Sequence, residues 1–131
     1  QYNTPGINLS FVVRGVKGTG KAATSTLGTL TDGIFTTDSG SYSKAITKGE
    51  WHTFTYVLDI DAKTYNLYID GEKLTTSSVS YQYFRGFQGD DAFRLYAANT
   101  SAPATGADIM IDDIKVYGST TDPTAIQAIT E

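Results

Sequence analysis

Residues 51–70 contain the pattern that most restricts the fold of this chain. Two alternating stretches, 51–59 and 64–70, are joined by a short connection, which is typical of an antiparallel β-hairpin. Placing residue 54 opposite residue 69 creates the apolar pairs Phe54–Ile69, Tyr56–Leu67 and Leu58–Tyr65. The pairs on the other face are Thr53–Asp70, Thr55–Tyr68 and Val57–Asn66. A slip by one residue would mix the two faces, so the sequence predicts this register, followed by a turn at Asp70-Gly71.

Shorter stretches of the same alternation predict further strands. In residues 7–13, alternation places four apolar side chains on one face: Ile7, Leu9, Phe11 and Val13. Other strands are predicted at 22–30, 33–37, 42–46 and 92–99, the last with Phe93 and Leu95 facing inward. Residues 107–118 predict a last strand with a bulge at Asp112-Asp113, because the apolar alternation changes phase there.

Residues 15–21, GVKGTGK, are predicted to form a loop. Their glycine and lysine spacing approaches that of a phosphate-binding loop. Ala22 stands where that motif needs Ser or Thr for magnesium, and a strand-like stretch follows in place of a helix. Nucleotide binding is therefore not expected.

No stretch predicts a helix of useful length, and 131 residues suit one domain. We predict an all-β fold, an antiparallel two-sheet β-sandwich, over residues 1–118, with a linker or tail at 119–131. The net charge of -4 argues against nucleic acid and anionic membranes as partners, because both attract basic surfaces. The chain has no cysteine, which excludes disulfides and thiolate metal sites.

Four motifs carry a resemblance to a known family. They are W-H-x-F-x-Y-x-L-D at 51–59, Y-x-L-Y-I-D-G at 65–71, F-R-L at 93–95 and I-D-D-I-K-V-Y at 111–117. Together they resemble the concanavalin A-like, laminin-G-like jelly rolls of secreted bacterial polysaccharide-processing proteins. Such domains have one or two more strands upstream, so the resemblance leaves open whether an N-terminal edge strand is lacking here.

The resemblance implies a non-catalytic carbohydrate-binding module that recognises a polysaccharide beside a neighbouring catalytic domain. It also implies a secreted or cell-surface bacterial location. Two alternatives stay open: a structural or adhesive domain without glycan affinity, and a fragment of a polysaccharide lyase or glycosidase. In related jelly rolls a C-terminal Asp holds structural calcium, so Asp112 and Asp113 are the candidate metal ligands.

Two aromatic and polar surfaces are candidates for the ligand site. If the three strands share one sheet, its outward face presents Trp51, Asn66, Tyr68, Arg94 and Tyr96. Aromatic rings stack on sugars while amide and guanidinium groups bond hydroxyls. The loop at 80–91 is the second candidate, with Tyr81, Tyr83, Arg85 and Gln88. The alternative for this loop is that Phe84 and Phe87 fold inward as a small core.

Catalysis is not expected. His52 is the only histidine, and its parity with Phe54 and Tyr56 favours a structural role. The three Glu residues and most Asp residues lie at turn or tail positions, where carboxylates usually bond the backbone. No pair of carboxylates is placed across a cleft, as glycoside hydrolysis requires.

Overall fold

The computed structural model describes residues 1–17, 20–86, 89, 91–98 and 108–118. These residues contain strands and no helix, so the predicted all-β class is confirmed. The described strands are β1 (Asn8–Lys17), β2 (Lys21–Thr31), β3 (Ile34–Thr37), β4 (Ser43–Ala45), β5 (Phe54–Asp59), β6 (Thr64–Ile69), β7 (Glu72–Lys73), β8 (Val79–Ser80) and β9 (Ala92–Ala98).

The strands form two antiparallel sheets. The five-stranded sheet has the order β4-β3-β2-β1-β9, and the four-stranded sheet has the order β5-β6-β7, with β8 also pairing with β6. One cluster of buried side chains joins them, with Leu9, Phe11 and Phe35 from the first sheet and Tyr65 and Leu67 from the second. This is the predicted two-sheet sandwich. The predicted strand at 7–13 lies inside its sheet, between β2 and β9.

The predicted hairpin is confirmed in register. Phe54 faces Ile69, Tyr56 faces Leu67 and Leu58 faces Tyr65. Asp70 and Gly71 have φ values of 53° and 79°, which suit the two-residue turn that was predicted. The strand begins at Phe54, not at residue 51. At Thr53 one backbone hydrogen bond remains, from the Asp70 N–H to the Thr53 carbonyl at 2.9 Å, while the Thr53 N–H donates to Asp70 Oδ1 at 2.9 Å.

A register shift between Phe11 and Val12 marks an irregularity in the pairing of β1 with β2. On β2 the pairing passes from Gly28 to Thr26 and leaves Leu27 unpaired, as a β-bulge does. Leu27 is fully buried, and the four residues whose inward face was predicted are buried as well: Ile7, Leu9, Phe11 and Val13. The bulge therefore adds an apolar side chain to the core that period two does not predict.

The prediction of a loop at 15–21 is wrong for residues 15–17 and for residue 21, which belong to strands β1 and β2. The β1–β2 ladder continues through Gly15–Ala23, Val16–Ala22 and Lys17–Lys21 pairs. Backbone pairing with a neighbouring strand outweighs the low strand preference of glycine here. Residues 18 and 19 lie outside the described residues.

Glycine is required at position 15 because the backbone of Tyr83 packs directly against the Gly15 α-carbon. A Cβ at Gly15 would lie 1.2 Å from the Tyr83 carbonyl oxygen. The segment at 82–84 therefore lies directly on the inner side of β1 and β2. Ser25 holds it there, because its Oγ accepts the N–H groups of Gln82 at 3.0 Å and Tyr83 at 3.1 Å.

The predicted last strand is wrong within the described part of its range, 108–118. Only Ile109 makes a bridge there, with Tyr2, and the side chains from residue 110 onward are exposed. Asp113 has a φ of 52°, at the predicted bulge position. Apolar alternation indicates that a segment can form a strand, but a strand also needs a neighbour for its backbone hydrogen bonds. No described strand lies beside 111–118.

Candidate functional site

The first predicted surface is divided by the fold. Tyr68 and Asn66 lie on β6 of the four-stranded sheet, whereas Arg94 and Tyr96 lie on β9 of the five-stranded sheet. The premise that the three strands share one sheet is therefore wrong. Period two shows which face of a strand is inward, but not which sheet the strand joins. The outward sides of the two sheets are opposite surfaces of the sandwich.

The residues of that surface also have different environments. Trp51 precedes β5 and is 56% exposed. On β9, Arg94 Nη1 donates to the Tyr96 hydroxyl at 3.0 Å. Asn66 is engaged by the protein itself, since its Oδ1 accepts the Thr75 hydroxyl at 2.9 Å and its Nδ2 donates to Ser78 Oγ at 3.2 Å. The Asn66 amide is thus occupied by the segment at 75–78.

The described part of the loop at 80–91 contributes two aromatic side chains to the core. Tyr81 and Phe84 are buried members of the core cluster, with ring centroids 6.4 Å apart. The inward alternative therefore holds for Phe84. Tyr83 is half-buried and Arg85 is exposed, so these two keep side chains near the surface. Gln88 and Phe87 lie outside the described residues.

A buried carboxylate closes this loop. Asp91 Oδ2 accepts the Arg85 N–H at 2.9 Å, and the Arg85 Nε lies 3.8 Å from the same oxygen. Asp91 Oδ1 and the nearby Tyr81 hydroxyl are both buried without a hydrogen-bond partner in the described structure. Burial, together with the charges of Asp59 and Asp91, raises the pKa of Tyr81 to about 12. Tyr81 therefore stays protonated at neutral pH.

His52 braces the chain where it enters the hairpin. Its Nδ1 lies 2.8 Å from Asp70 Oδ2, and its Nε2 lies 2.9 Å from the Thr47 carbonyl oxygen. Partial burial raises the pKa of Asp70, but hydrogen bonds from His52 and the Thr53 N–H outweigh it and lower the pKa below its usual value. Both ring nitrogens have protein partners, as the structural role predicted for His52 requires.

A groove rich in hydroxyl groups lies between the two sheets at one end of the sandwich, and the sequence did not predict it. It has two sections, of about 280 Å³ and about 360 Å³, which meet at Asp38 and Ser80. The first section is lined by Asp38, Ser39, Ser41, Tyr42, Ser77, Ser78, Val79 and Ser80. The second is lined by Thr24, Ser25, Thr26, Asp38, Ser80, Tyr81 and Gln82.

Three Ser- and Thr-rich segments, at 24–26, 38–42 and 77–82, form the walls. They are distant in sequence, so only the tertiary fold reveals them as one surface. Their composition is the signal that sequence reasoning passed over, because runs of Ser and Thr are also typical of ordinary turns. We call this surface the hydroxyl groove.

Tyr42 joins two walls of the hydroxyl groove. Its hydroxyl lies 3.0 Å from Thr76 Oγ1 and 2.8 Å from Ser77 Oγ, and it accepts the Ser77 N–H at 3.0 Å. Hydrogen bonds from Ser77 and Thr76 lower the pKa of Tyr42 to about 8. The loop before β4 is therefore tied to the segment before β8.

Asp38 is the one charged residue among those that line the hydroxyl groove. It is exposed, and Tyr65 lies buried below it. Burial of Tyr65, together with the Asp38 charge, raises the Tyr65 pKa to about 12. The Tyr65 hydroxyl donates to the Leu27 carbonyl oxygen, which links β6 to β2 beneath the groove.

The candidate metal ligands do not form a calcium site by themselves. Asp112 and Asp113 are exposed, and Asp112 Oδ1 accepts the Asp113 N–H at 2.8 Å. Calcium takes six to eight oxygen ligands. Among the described residues no group of three His, Cys, Asp or Glu side chains is placed to hold a metal ion. These two carboxylates alone do not fit the ion.

Comparison with known families identifies the chain. Residues 4–127 match the family described as the concanavalin A-like lectin/glucanases superfamily, and the chain belongs to it. The predicted resemblance to concanavalin A-like, laminin-G-like domains is thereby confirmed. Comparisons with curated proteins and with solved structures gave no match. The described residues include no helix long and apolar enough to cross a membrane. The domain boundary at 118 stays a prediction.

Proposed function

We propose that this domain is a non-catalytic carbohydrate-binding module and that the hydroxyl groove is its binding surface. The groove itself is the observation that carries the proposal. Small-ligand sites are concave and present a few converging polar groups on a rigid scaffold. Here Ser, Thr, Tyr and Asp residues from both sheets line two open depressions that adjoin at Asp38 and Ser80. The superfamily includes carbohydrate-binding domains as well as adhesive ones, so the proposal agrees with it without being required by it.

The chemistry of the lining matches a sugar. Serine and threonine hydroxyls both donate and accept, as sugar hydroxyls do, so those with capacity left after their bonds within the protein can form paired hydrogen bonds with a sugar. The Asp38 carboxylate accepts hydrogen bonds from two neighbouring sugar hydroxyls, and bonds to charged groups are the stronger ones. Tyr42, whose own hydroxyl is engaged, presents an aromatic ring beside the groove. The bonds of Tyr42 hold the walls in place before a ligand arrives.

The charges of the groove favour a neutral glycan. Asp38 lines both sections, and no Lys or Arg lines either one. A uronic acid or sulfated sugar would therefore bring a negative charge towards a carboxylate without a cation to offset it. The chain as a whole also has a net charge of -4.

The same lining supports a binding role over a catalytic one. Glycoside hydrolysis uses two carboxyl groups across the scissile bond. Asp38 is the sole carboxylate among the groove-lining residues. A ligand held there has hydrogen-bond partners but no second acid or base.

Affinity electrophoresis of the purified domain tests the proposal. Native gels contain a neutral β-glucan, xylan or mannan, or a uronic acid polymer, each with calcium or with chelator. We expect retardation by a neutral polysaccharide, independent of calcium. Asp38→Asn keeps the side-chain shape and should weaken binding about tenfold, because it replaces a charged acceptor.

Tyr68→Ala and Tyr96→Ala are matched controls on the outer faces of the two sheets, outside the groove. Retardation that survives in Asp38→Asn and disappears in one of these controls would transfer the site to that predicted surface. Retardation that depends on Arg85 would instead favour the loop at 80–91. No retardation by any glycan would favour the structural or adhesive alternative.

A further inference from the structure

His52 lies where the chain passes from one sheet to the other. Residues 46–53 connect β4 of the five-stranded sheet with β5 of the four-stranded sheet. The His52 side chain is 12% exposed, and each of its ring nitrogens contacts a different partner. Nε2 lies 2.9 Å from the carbonyl oxygen of Thr47, just after β4, and Nδ1 lies 2.8 Å from Asp70 Oδ2, between β6 and β7. The imidazole ring therefore links a strand end of one sheet to a turn of the other.

Both partners of the ring are hydrogen-bond acceptors. The Thr47 carbonyl carries no hydrogen, and the pKa of Asp70 lies below its usual value, so Asp70 is a carboxylate at neutral pH. A neutral imidazole has one N–H and one lone pair, whereas the protonated ring has two N–H groups. The neutral ring therefore satisfies one contact and directs a lone pair at the acceptor in the other. The doubly protonated ring donates to both.

The two acceptors are held in place by their own backbone contacts. The Asp70 N–H donates to the Thr53 carbonyl at 2.9 Å, and Asp70 Oδ1 accepts the Thr53 N–H at 2.9 Å. Thr47 follows Ile46, which is buried and whose N–H donates to the Gly33 carbonyl at 2.7 Å. A small rotation of either acceptor would disturb these bonds. A mismatch at the neutral ring therefore costs the folded state one hydrogen bond.

The other charges near the ring are exposed or paired with each other. The charged residues on the neighbouring elements are Lys44 on β4, Lys48 and Glu50 in the connection, and Glu72 and Lys73 on β7. Lys44 Nζ lies 3.0 Å from Glu72 Oε2, so these two charges offset each other. Asp70 is the charged group in direct contact with the ring.

We propose that His52 is a pH-sensitive brace between the two sheets, complete when both ring nitrogens are protonated and reduced to one contact when a proton is lost. An imidazole changes its charge between about pH 5 and pH 8. The unfolded chain has neither contact, so protonation of the ring adds stability to the folded state alone. The stabilisation is therefore present on the acid side of this range and decreases as pH rises through it. Below about pH 4 it is lost again, because Asp70 protonates.

Thermal unfolding of the purified protein, followed by circular dichroism, tests this brace. His52→Gln is the variant to compare, because glutamine keeps an N–H donor and does not titrate. The wild-type midpoint should exceed that of His52→Gln by about 2–4 °C more at about pH 5.5 than at about pH 8. Other titrating groups are common to both chains, so their effects cancel. None of the brace residues lines the hydroxyl groove, so no glycan is needed for the measurement.

Two further variants separate the brace from its surroundings. Asp70→Asn keeps the side-chain shape without the charge, so the pH dependence should shrink; this variant also serves if His52→Gln does not fold. Glu72→Gln breaks the neighbouring ion pair with Lys44 and should leave the pH dependence intact. A purely structural histidine would give the same difference between wild type and His52→Gln at both pH values, and that result would overturn the proposal. Loss of the pH dependence in Glu72→Gln would overturn it as well.

Nuclear magnetic resonance of the ring nitrogens gives an independent readout. His52 is the only histidine of the chain, so its ring signals are assigned without ambiguity. At about pH 5.5 the folded protein should show two ring N–H signals that exchange slowly with water, because both hydrogens are held by acceptors. A single slowly exchanging ring N–H at this pH would contradict the doubly bonded ring.

Discussion

Replacing Gly15 by alanine should destabilise the domain severely. The new Cβ would lie 1.2 Å from the Tyr83 carbonyl oxygen, whereas ordinary contacts begin at 3.4 Å. The segment at 82–84 must therefore move by about 2 Å, the difference between these two distances. Backbone blocks the new methyl group, so no change of side-chain rotamer removes the clash.

The size of the effect follows from what this movement disrupts. The segment carries Phe84, which is 1% exposed, and the two hydrogen bonds to Ser25 Oγ. Full loss of a buried Phe destabilises by about 3–5 kcal/mol, and each hydrogen bond contributes about 0.5–1.5 kcal/mol. Partial loss of both gives an expected decrease of about 3–5 kcal/mol in the free energy of unfolding.

Urea denaturation, followed by tryptophan fluorescence and circular dichroism, measures this decrease. Ser25→Ala is the matched control, because it removes both hydrogen bonds without a clash and should lose about 1–3 kcal/mol. Gly118→Ala, at an exposed position with no atom within 4 Å of the new Cβ, should change stability little. A Gly15→Ala variant within about 1 kcal/mol of the wild type would refute the packing argument.

Three further results are expected. Asp70→Asn should lower the free energy of unfolding by less than about 1 kcal/mol at neutral pH, because the hydrogen bond between Asp70 and His52 is partly exposed. The folded-state pKa of Asp70 is lowered, so the carboxylate contributes stability that is lost as pH falls below about 4 and it protonates. The difference in unfolding free energy between the wild type and Asp70→Asn should therefore shrink at low pH, as urea denaturation at several pH values would show. Tyr65→Phe removes the hydrogen bond to the Leu27 carbonyl and should destabilise by about 1–2 kcal/mol in thermal or urea unfolding; an unchanged midpoint would contradict that role. A tyrosine that ionises with a pKa of about 8 should be visible in an ultraviolet titration and absent from Tyr42→Phe, whose groove should also bind glycan more weakly.

Sequence periodicity predicted the core well. The β5–β6 register was correct because burial of one face strongly penalises a slip by one residue. Leu27 was missed because a bulge shifts the phase of alternation, and that shift depends on the partner strand. The strand at β1 extends past its glycine for the same kind of reason, since its partner continues the ladder.

The candidate site was less accessible to sequence reasoning. β9 pairs with β1 and not with the sheet of β6, and period two carries no information about such long-range pairing. The predicted surface that combined Tyr68 with Arg94 is therefore divided between the two sheets. The hydroxyl groove forms where three segments that are distant in sequence come together. A local pattern of Ser and Thr does not predict that contact. The sequence places Asp91 at a turn, where carboxylates are usually exposed. In the structure Asp91 is buried, and its carboxylate accepts the backbone N–H of Arg85 in the same loop.

The position of the hydroxyl groove across both sheets links occupancy to folding. One wall comes from β2 and the loop between β3 and β4, and the other comes from the chain around β8. A ligand that contacts both walls stabilises the folded state, because its binding surface exists only while the two sheets are packed together. At a hundredfold excess over its dissociation constant, such a molecule raises the free energy of unfolding by about 2.7 kcal/mol. If the proposed binding of a glycan in this groove is correct, saturating glycan should therefore raise the melting temperature of the domain.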